Sequence, residues 1–412
     1  MTLDKLKNII QSSHINFLFG AGLSLPYLKA LGNIETWLTE CAAIENERVR
    51  QIVEDNLKIN YVEGVMKPCL DAISMDKPKE LEGVENAYRD FLRIWNHIIS
   101  RRGSSLLSKQ VNIFTTNIDP LVEGVAEDLG IEFNNGFKGM MRPVFREEAF
   151  STTVSKVSPL YQRTSELPTF NYLKMHGSVN WQHKENGAEI SYDGSLVTLR
   201  KVVECTNKYP PLHRVIERLR SEFELKELEE AVEDSISLAG PERVEGGVEG
   251  VAGSTGSARS DSDPYKLMKS FREAYDELVM INPRKAKFRE TVLDLHFYEL
   301  MRLYANALEK PTTCLFVMGF SFADEHIAQI TRRAVASNPT LLVIIFAYDD
   351  TAKGAIGKCI GESNNNNIII LSPSEFKGAQ DEKGKEAVKG LEVFDLASIN
   401  KYVFGQIKND IN

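Results

Sequence analysis

Five short runs of Val, Ile, Leu and Phe, each broken off by glycine or by a polar cluster, do most to limit how this chain can fold. They are INFLFG at 15–20, VNIFTTN at 111–117, NYLKMHG at 171–177, CLFVMGFS at 314–321 and LLVIIFAY at 341–348. None alternates polar with apolar residues as a sheet with one wet face would. Each is therefore expected to be a strand buried on both faces, as in a parallel sheet covered by helices. Helical stretches separate several of them, and that alternation predicts a doubly wound α/β fold. Ligands in such folds bind beyond the carboxyl ends of the strands. Those ends carry the unusual polar residues of this chain.

The rest of the sequence narrows the class. A length of 412 residues accommodates one large domain or two ordinary ones. With 42% hydrophobic and 26% charged residues the chain reads as a soluble globular protein with an ample core. Its 58 acidic residues outnumber 49 basic ones, for a net charge of −9, which argues against direct nucleic-acid binding as its main function. No apolar run is long enough to span a bilayer, and MTLDKLKNIIQSS at the N-terminus reads as an amphipathic helix rather than a signal peptide. Five cysteines, at 41, 69, 205, 314 and 359, stand singly with no Cys-x-x-Cys pair. That pattern predicts a reducing, cytoplasmic setting and excludes a cysteine-based zinc ribbon, so no metal is expected.

Residues 34–105 interrupt the alternation with long helical patterns rich in Glu, Lys and Arg. They are expected to form an inserted helical module, with Phe91 and Trp95 packing inward, within a core of 1–33 and 106–412. Residues 236–264 are rich in Gly and Ser and nearly free of aromatics, and are expected to be a flexible loop. It follows a charged helical stretch, HRVIERLRSEFELKELEEAVED.

Taken singly, each polar strand end has a structural reading. Gly20-Ala21-Gly22 is a tight turn or a phosphate loop. Asn117 and Asp119 in FTTNIDP sit where helix caps sit, with a helix expected from Pro120. His176, between an apolar strand and Gly177, faces a cleft or is structural. In FVMGFSFADEHI a glycine permits a turn and Asp324 caps the next helix.

Taken together and in this order, the four stretches resemble the sirtuin family. The correspondence runs through Gly20-Ala21-Gly22-Leu23-Ser24, Thr115-Thr116-Asn117-Ile118-Asp119, His176-Gly177 and Gly319-Phe320-Ser321, from about residue 12 to beyond 350. The resemblance implies a Rossmann-like sheet with an NAD pocket. In it Gly20, Ala21 and Gly22 would bring backbone N–H groups to the pyrophosphate, with Ser24 adding a hydroxyl. Thr116 and Gly177 would line the pocket, and Gly319 and Ser321 its adenosine side. Asn117 would orient water or the nicotinamide ribose, Asp119 would hold the nicotinamide side or the local network, and His176 would act as general base. Asp349, after the next strand, is a candidate for the adenine ribose.

Two departures shift the expected activity. Sirtuin deacylases carry a four-cysteine zinc ribbon and an Ile-Pro-Asp-Phe-Arg cover, and LPYLKALGNIETW here lacks that Asp and Arg. The chain looks more like the sirtuin-like NAD hydrolases of bacterial antiphage defence. It most resembles the stand-alone subunit that assembles with a HerA-type hexameric ATPase, with a short Argonaute as the alternative partner. That likeness implies NAD as substrate, homo-oligomerisation and control by assembly. The alternatives are a zinc-less deacylase or ADP-ribosyltransferase, and a non-catalytic NAD or ADP-ribose sensor.

Overall fold

All five apolar runs are strands of a single sheet, and every pairing within that sheet is parallel. The computed structural model describes residues 1–29, 34–102, 107–160, 162–184, 189–207, 226, 228–233, 268–282, 295–361 and 365–411. The expected loop at 236–264 lies outside the described residues, as does most of the charged stretch before it.

In chain order the strands are β1 (His14–Phe19), β2 (Gln110–Thr115), β3 (Glu132–Asn134), β4 (Phe137–Lys138), β5 (Val144–Phe145), β6 (Ser155–Val157) and β7 (Thr164–Glu166). They continue with β8 (Thr169–Lys174), β9 (Gly177–His183), β10 (Ile190–Tyr192), β11 (Leu278–Met280), β12 (Thr313–Met318), β13 (Leu341–Phe346) and β14 (Ile368–Leu371). The parallel sheet runs β14-β13-β12-β1-β2-β8-β3. Without the edge strand β3, its six strands stand in the order 3-2-1-4-5-6, compatible with a Rossmann-like fold. The chain travels outward through β2 to β8, returns to the centre at β12, and leaves in the opposite direction. β1 and β12 therefore flank the topological switch point, with Phe17 opposite Phe316 in register.

Alternate residues of each strand face different helical layers, which is why the runs carry no polar alternation. Ile15, Phe17 and Phe19 of β1 share a core with Phe316 and Phe346, whereas Leu18, Val317 and Ile345 belong to the opposite one. The first layer holds α1 (Leu3–Ser12) and the C-terminal helical turns at Leu396–Asp410. The crossover from β1 to β2 supplies α2 (Ile34–Glu40), α3 (Glu47–Tyr61) and α4 (Lys79–Ser100), and α5 (Leu121–Leu129) follows β2. Beyond the β8–β10 region lie α6 (Val197–Thr206) and α7 (Lys269–Asp276). The second layer holds α8 (Leu295–Glu309), α9 (Glu325–Ser337) and α10 (Asp350–Ile360).

Residues 34–102 are helical as expected, but their last helix is not part of a separate module. α4 presents Leu81, Val84, Tyr88, Phe91, Trp95 and Ile98 at helical spacing and buries them against the sheet. The indole of Trp95 meets Phe17 edge-on at 4.7 Å and Phe404 at 4.9 Å, and Phe91 meets Phe17 at 5.0 Å. A parallel β1–β2 pair needs such a crossover helix, so a boundary at 105 would cut through one continuous core.

A small antiparallel sheet, β11-β9-β10-β5-β4, starts immediately after the candidate histidine. β9 pairs with β11 so that Gly177 stands opposite Met280.

Truncating Trp95 should show how much rests on the α4–sheet contact. Trp95→Ala removes a fully buried indole and is expected to cost about 3–5 kcal/mol. Met75→Ala, at a fully exposed side chain, should stay within about 0.5 kcal/mol of wild type. Denaturant midpoints for the two variants check both values.

Candidate functional site

The glycines at the switch point answer first to a packing requirement. The turn Ala21–Ser24 after β1 lies directly on the loop after β12. Gly20 N–H donates to the Met318 carbonyl at 3.1 Å, and Gly22 N–H to the Gly319 carbonyl at 3.0 Å. A Cβ on Gly20 would stand 2.4 Å from the Gly319 oxygen. One on Gly319, whose φ is +64°, would stand 2.6 Å from the Leu23 nitrogen. No side chain fits between backbones this close. Two N–H groups that the sequence reading aimed at a pyrophosphate thus bond the two loops to each other, while Ala21 is exposed beside them. The Ser24 hydroxyl faces inward, donating to Asp119 Oδ2 at 3.4 Å with the Tyr88 hydroxyl 3.1 Å away. Burial, reinforced by the nearby Asp119 carboxylate, pushes the Tyr88 phenol up, so it stays protonated.

The segment after β2 is tied to the same loop. The Thr115 hydroxyl donates to the Phe19 carbonyl at 3.2 Å and receives the Asn117 N–H at 3.0 Å. Asn117 Nδ2 donates to the Gly20 carbonyl at 3.2 Å. Its Oδ1 is buried with no hydrogen-bond partner among the described residues. A buried acceptor of this kind is costly unless something fills it. Thr116 is half-buried next to it. Asp119 is buried and accepts Leu121 N–H at 3.2 Å, but the N-cap position of α5 falls on Pro120 and not on Asp119, so the helix starts one residue later than expected. Burial raises its carboxyl pKa, which the Lys174 charge offsets only in part.

Lys174 closes the floor beneath this segment. A lysine in the apolar strand β8 is the one charged residue of its run, and its ammonium is almost wholly enclosed. It donates to the Asp119 carbonyl at 2.6 Å, to Glu123 at 3.0 Å and to the Ser178 hydroxyl at 2.5 Å. Glu123 also receives Asn180 Nδ2 at 3.2 Å. The resulting knot joins β8, α5 and β9. Sequence reading missed it, although a charge inside an apolar strand signals a buried partner.

His176 occupies the turn between β8 and β9. Gly177, at φ +74°, makes that turn, and a Cβ there would lie 2.2 Å from the Val279 oxygen. The His176 carbonyl accepts Ile281 N–H at 2.9 Å, so β11 pins the turn from outside. The imidazole Nε2 stands 3.3 Å from Asp324 Oδ2, with the two side chains 12% and 11% exposed. Asp324 caps α9 as expected, its Oδ1 accepting the N–H groups of His326 at 3.0 Å and Ile327 at 3.2 Å. Its approach to the histidine had no sequence signal, because 148 residues separate the two.

Set against models of known protein families and against characterised proteins, the sequence matches none. The site therefore stands on its geometry and on the motif resemblance. The structure brings Gly20, Gly22, Asn117, Asp119, His176, Gly177 and Gly319 together at the carboxyl ends of β1, β2, β8 and β12. Ser321 is exposed on the last of these loops, where its hydroxyl accepts Ala323 N–H at 3.4 Å. Asp349 lies one strand further out, after β13, and its carboxylate caps α10 through Ala352 N–H at 2.7 Å. A cavity of about 480 Å³ lined by Arg50, Gln51, Lys58 and Arg272 touches none of the four loops. Among the described residues, no group of three His, Cys, Asp or Glu side chains could hold a metal, and no helix is long and apolar enough to cross a membrane. The arrangement offers a partly exposed imidazole, a carboxylate against one of its nitrogens, and an unfilled amide oxygen in the adjoining loop.

Two substitutions probe this framework. Gly20→Ala should destabilise the chain by more than 1 kcal/mol, since backbone must move, whereas Gly83→Ala in α4, with open space around it, should stabilise it by about 0.5–1 kcal/mol. Thermal melts of the pair give the sign directly. Lys174→Met strands the Glu123 carboxylate and is expected to cost about 3–5 kcal/mol, with much of the loss restored in Lys174→Met/Glu123→Leu. A double-mutant cycle read by denaturant unfolding measures that coupling.

Proposed function

We propose that the chain is an NAD glycohydrolase that cleaves the bond between nicotinamide and ribose, a sirtuin-like core turned to destroying its cofactor. The observation that carries the reading is the direct bonding of the four motif loops at the switch point of a 3-2-1-4-5-6 sheet, which is where dinucleotides bind in folds of this order. Water adds to C1′ of the ribose as the C1′–N1 bond breaks. The bonding electron pair returns to the nicotinamide ring, and the proton of the water passes to His176 and on to solvent. The products are nicotinamide, ADP-ribose and one proton.

Asn117 holds the reacting water or a ribose hydroxyl through its unfilled Oδ1. His176 is the general base, a role suited to an imidazole at neutral pH. Asp119, buried and hydrogen-bonded to its own loop, supports Asn117 rather than touching the ligand. The phosphate contacts come from the exposed edge of the glycine turn, at Ala21, and from the Ser321 loop. An antiphage role by NAD depletion in a reducing cytoplasm, self-association and a hexameric ATPase partner all belong to the same proposal. They rest on the motif resemblance.

Purified chain, alone and with an ATPase encoded beside it, is incubated with NAD and the products are separated by chromatography. Equal amounts of nicotinamide and ADP-ribose are expected. His176→Ala and Asn117→Ala should each lower turnover by about 10²–10⁴-fold with unchanged circular dichroism. Intact NAD under both conditions, together with deacylation of an acyl-lysine peptide, would overturn the reading.

A further inference from the structure

We infer that Asp324 is the positioning residue of His176: it holds the imidazole with its proton on Nε2 and leaves Nδ1 as the basic nitrogen facing the reaction. The kinetic consequence rests on the glycohydrolase reading, whereas the tautomer does not.

One oxygen of the carboxylate is held by backbone and the other stands against the ring. Oδ1 accepts two backbone N–H groups at the start of α9, from His326 and Ile327, which fixes the plane of the carboxylate and turns Oδ2 toward Nε2 at 3.3 Å. A carboxylate can only accept hydrogen bonds, so the nitrogen that faces it must carry the proton. The ring has little freedom to answer otherwise. Its backbone is clamped by Ile281 N–H on the carbonyl and by the left-handed Gly177 against Val279. On the other side, the loop that delivers Asp324 makes two left-handed turns within four residues, at Gly319 (φ +64°) and Phe322 (φ +60°). A buried aromatic in that conformation is uncommon. Phe322 is held there, 2% exposed and edge-on to Phe320 at 5.0 Å.

The other charged groups of the site are committed elsewhere. Lys174 on β8 gives its ammonium to the Asp119 carbonyl, Glu123 and Ser178. Asp119, from the loop after β2, turns its carboxyl to Ser24 and Leu121 N–H. Glu123 of α5 is taken up by Lys174 and Asn180. Among the described residues Asp324 is the carboxylate within ion-pair distance of His176. Two loops thus meet at one close contact between a ring nitrogen and a carboxylate oxygen, and the helix cap that looked purely structural sets the protonation pattern of the base.

Asp324→Asn separates the two roles of the residue. Asparagine caps helices as well as aspartate does, so its Oδ1 keeps the two N–H groups of α9. Nδ2 must then face Nε2, and because Nδ2 is a donor the ring proton is driven to Nδ1. Nitrogen–proton correlation spectra of ring-labelled histidines in the full chain, with His176 assigned from His176→Ala, should show the proton on Nε2 in wild type and on Nδ1 in the variant. Turnover of NAD should fall by about 10²–10⁴-fold with KM unchanged, the pattern seen when a catalytic histidine is locked in the wrong tautomer. The melting temperature should not move. A wild-type spectrum with the proton on Nδ1 overturns the inference, even if the variant fails to fold. So does an Asp324→Asn chain that keeps the wild-type tautomer and turnover. Wild type that carries the proton on Nε2 but never cleaves NAD upholds the Asp324 contact and overturns the glycohydrolase reading instead.

Discussion

The backbone contact between the turn after β1 and the loop after β12 is the constraint on which the rest of the structure depends. Two loops that leave neighbouring parallel strands in opposite directions would ordinarily part and open a crevice. Here they are drawn together by N–H groups of Gly20 and Gly22 on the carbonyls of Met318 and Gly319, at a separation where no Cβ fits. The same contact fixes where the Gly20 carbonyl points, and that carbonyl receives Asn117. It also fixes the start of the loop that carries Asp324 to His176. Loosening it would release three of the four candidate loops together.

Below that contact, two opposed kinds of core hold the strand ends in place. The aromatic cluster of Phe17, Phe91, Trp95, Phe316 and Phe404 secures the centre of the sheet by shape and edge-on ring packing. The Lys174–Glu123 pair secures its flank by charge, in a site closed to water. Hydrophobic contact tolerates small slips, whereas a buried ammonium with three acceptors does not. Placing the rigid, charge-based fastening under Asn117 and Asp119, and the aromatic one away from the site, gives the loops a firm floor while leaving His176 and Asp324 in partial contact with solvent.

Much of this was legible in the residues. The five apolar runs became five strands of the sheet because strands buried on both faces admit no polar position, a rule that needs no tertiary information. The cap at Asp324 followed from its place before a helix. Other parts were legible only in outline. Residues 34–105 read as helix, yet the pattern could not tell a freestanding bundle from a layer of the sheet, since Phe91 and Trp95 are inward-facing in either case. Ser24 read as a donor toward a phosphate, but its hydroxyl turns inward to Asp119, with Tyr88 beside it, 64 residues away in sequence. Asp349 read as a candidate ribose contact, and the structure adds that its carboxylate caps α10, two strands from β1.

The sequence by itself determined the class of sheet, the direction of its strands and the four polar strand ends, because burial on both faces and the turn chemistry of glycine are local properties. Only the tertiary structure decided that Gly20 and Gly319 share one contact, that Lys174 reaches Glu123, and that Asp324 stands 3.3 Å from His176. Each of these joins residues from different strands or helices, and a distance between separate elements is set by how they pack, which no stretch of chain encodes on its own.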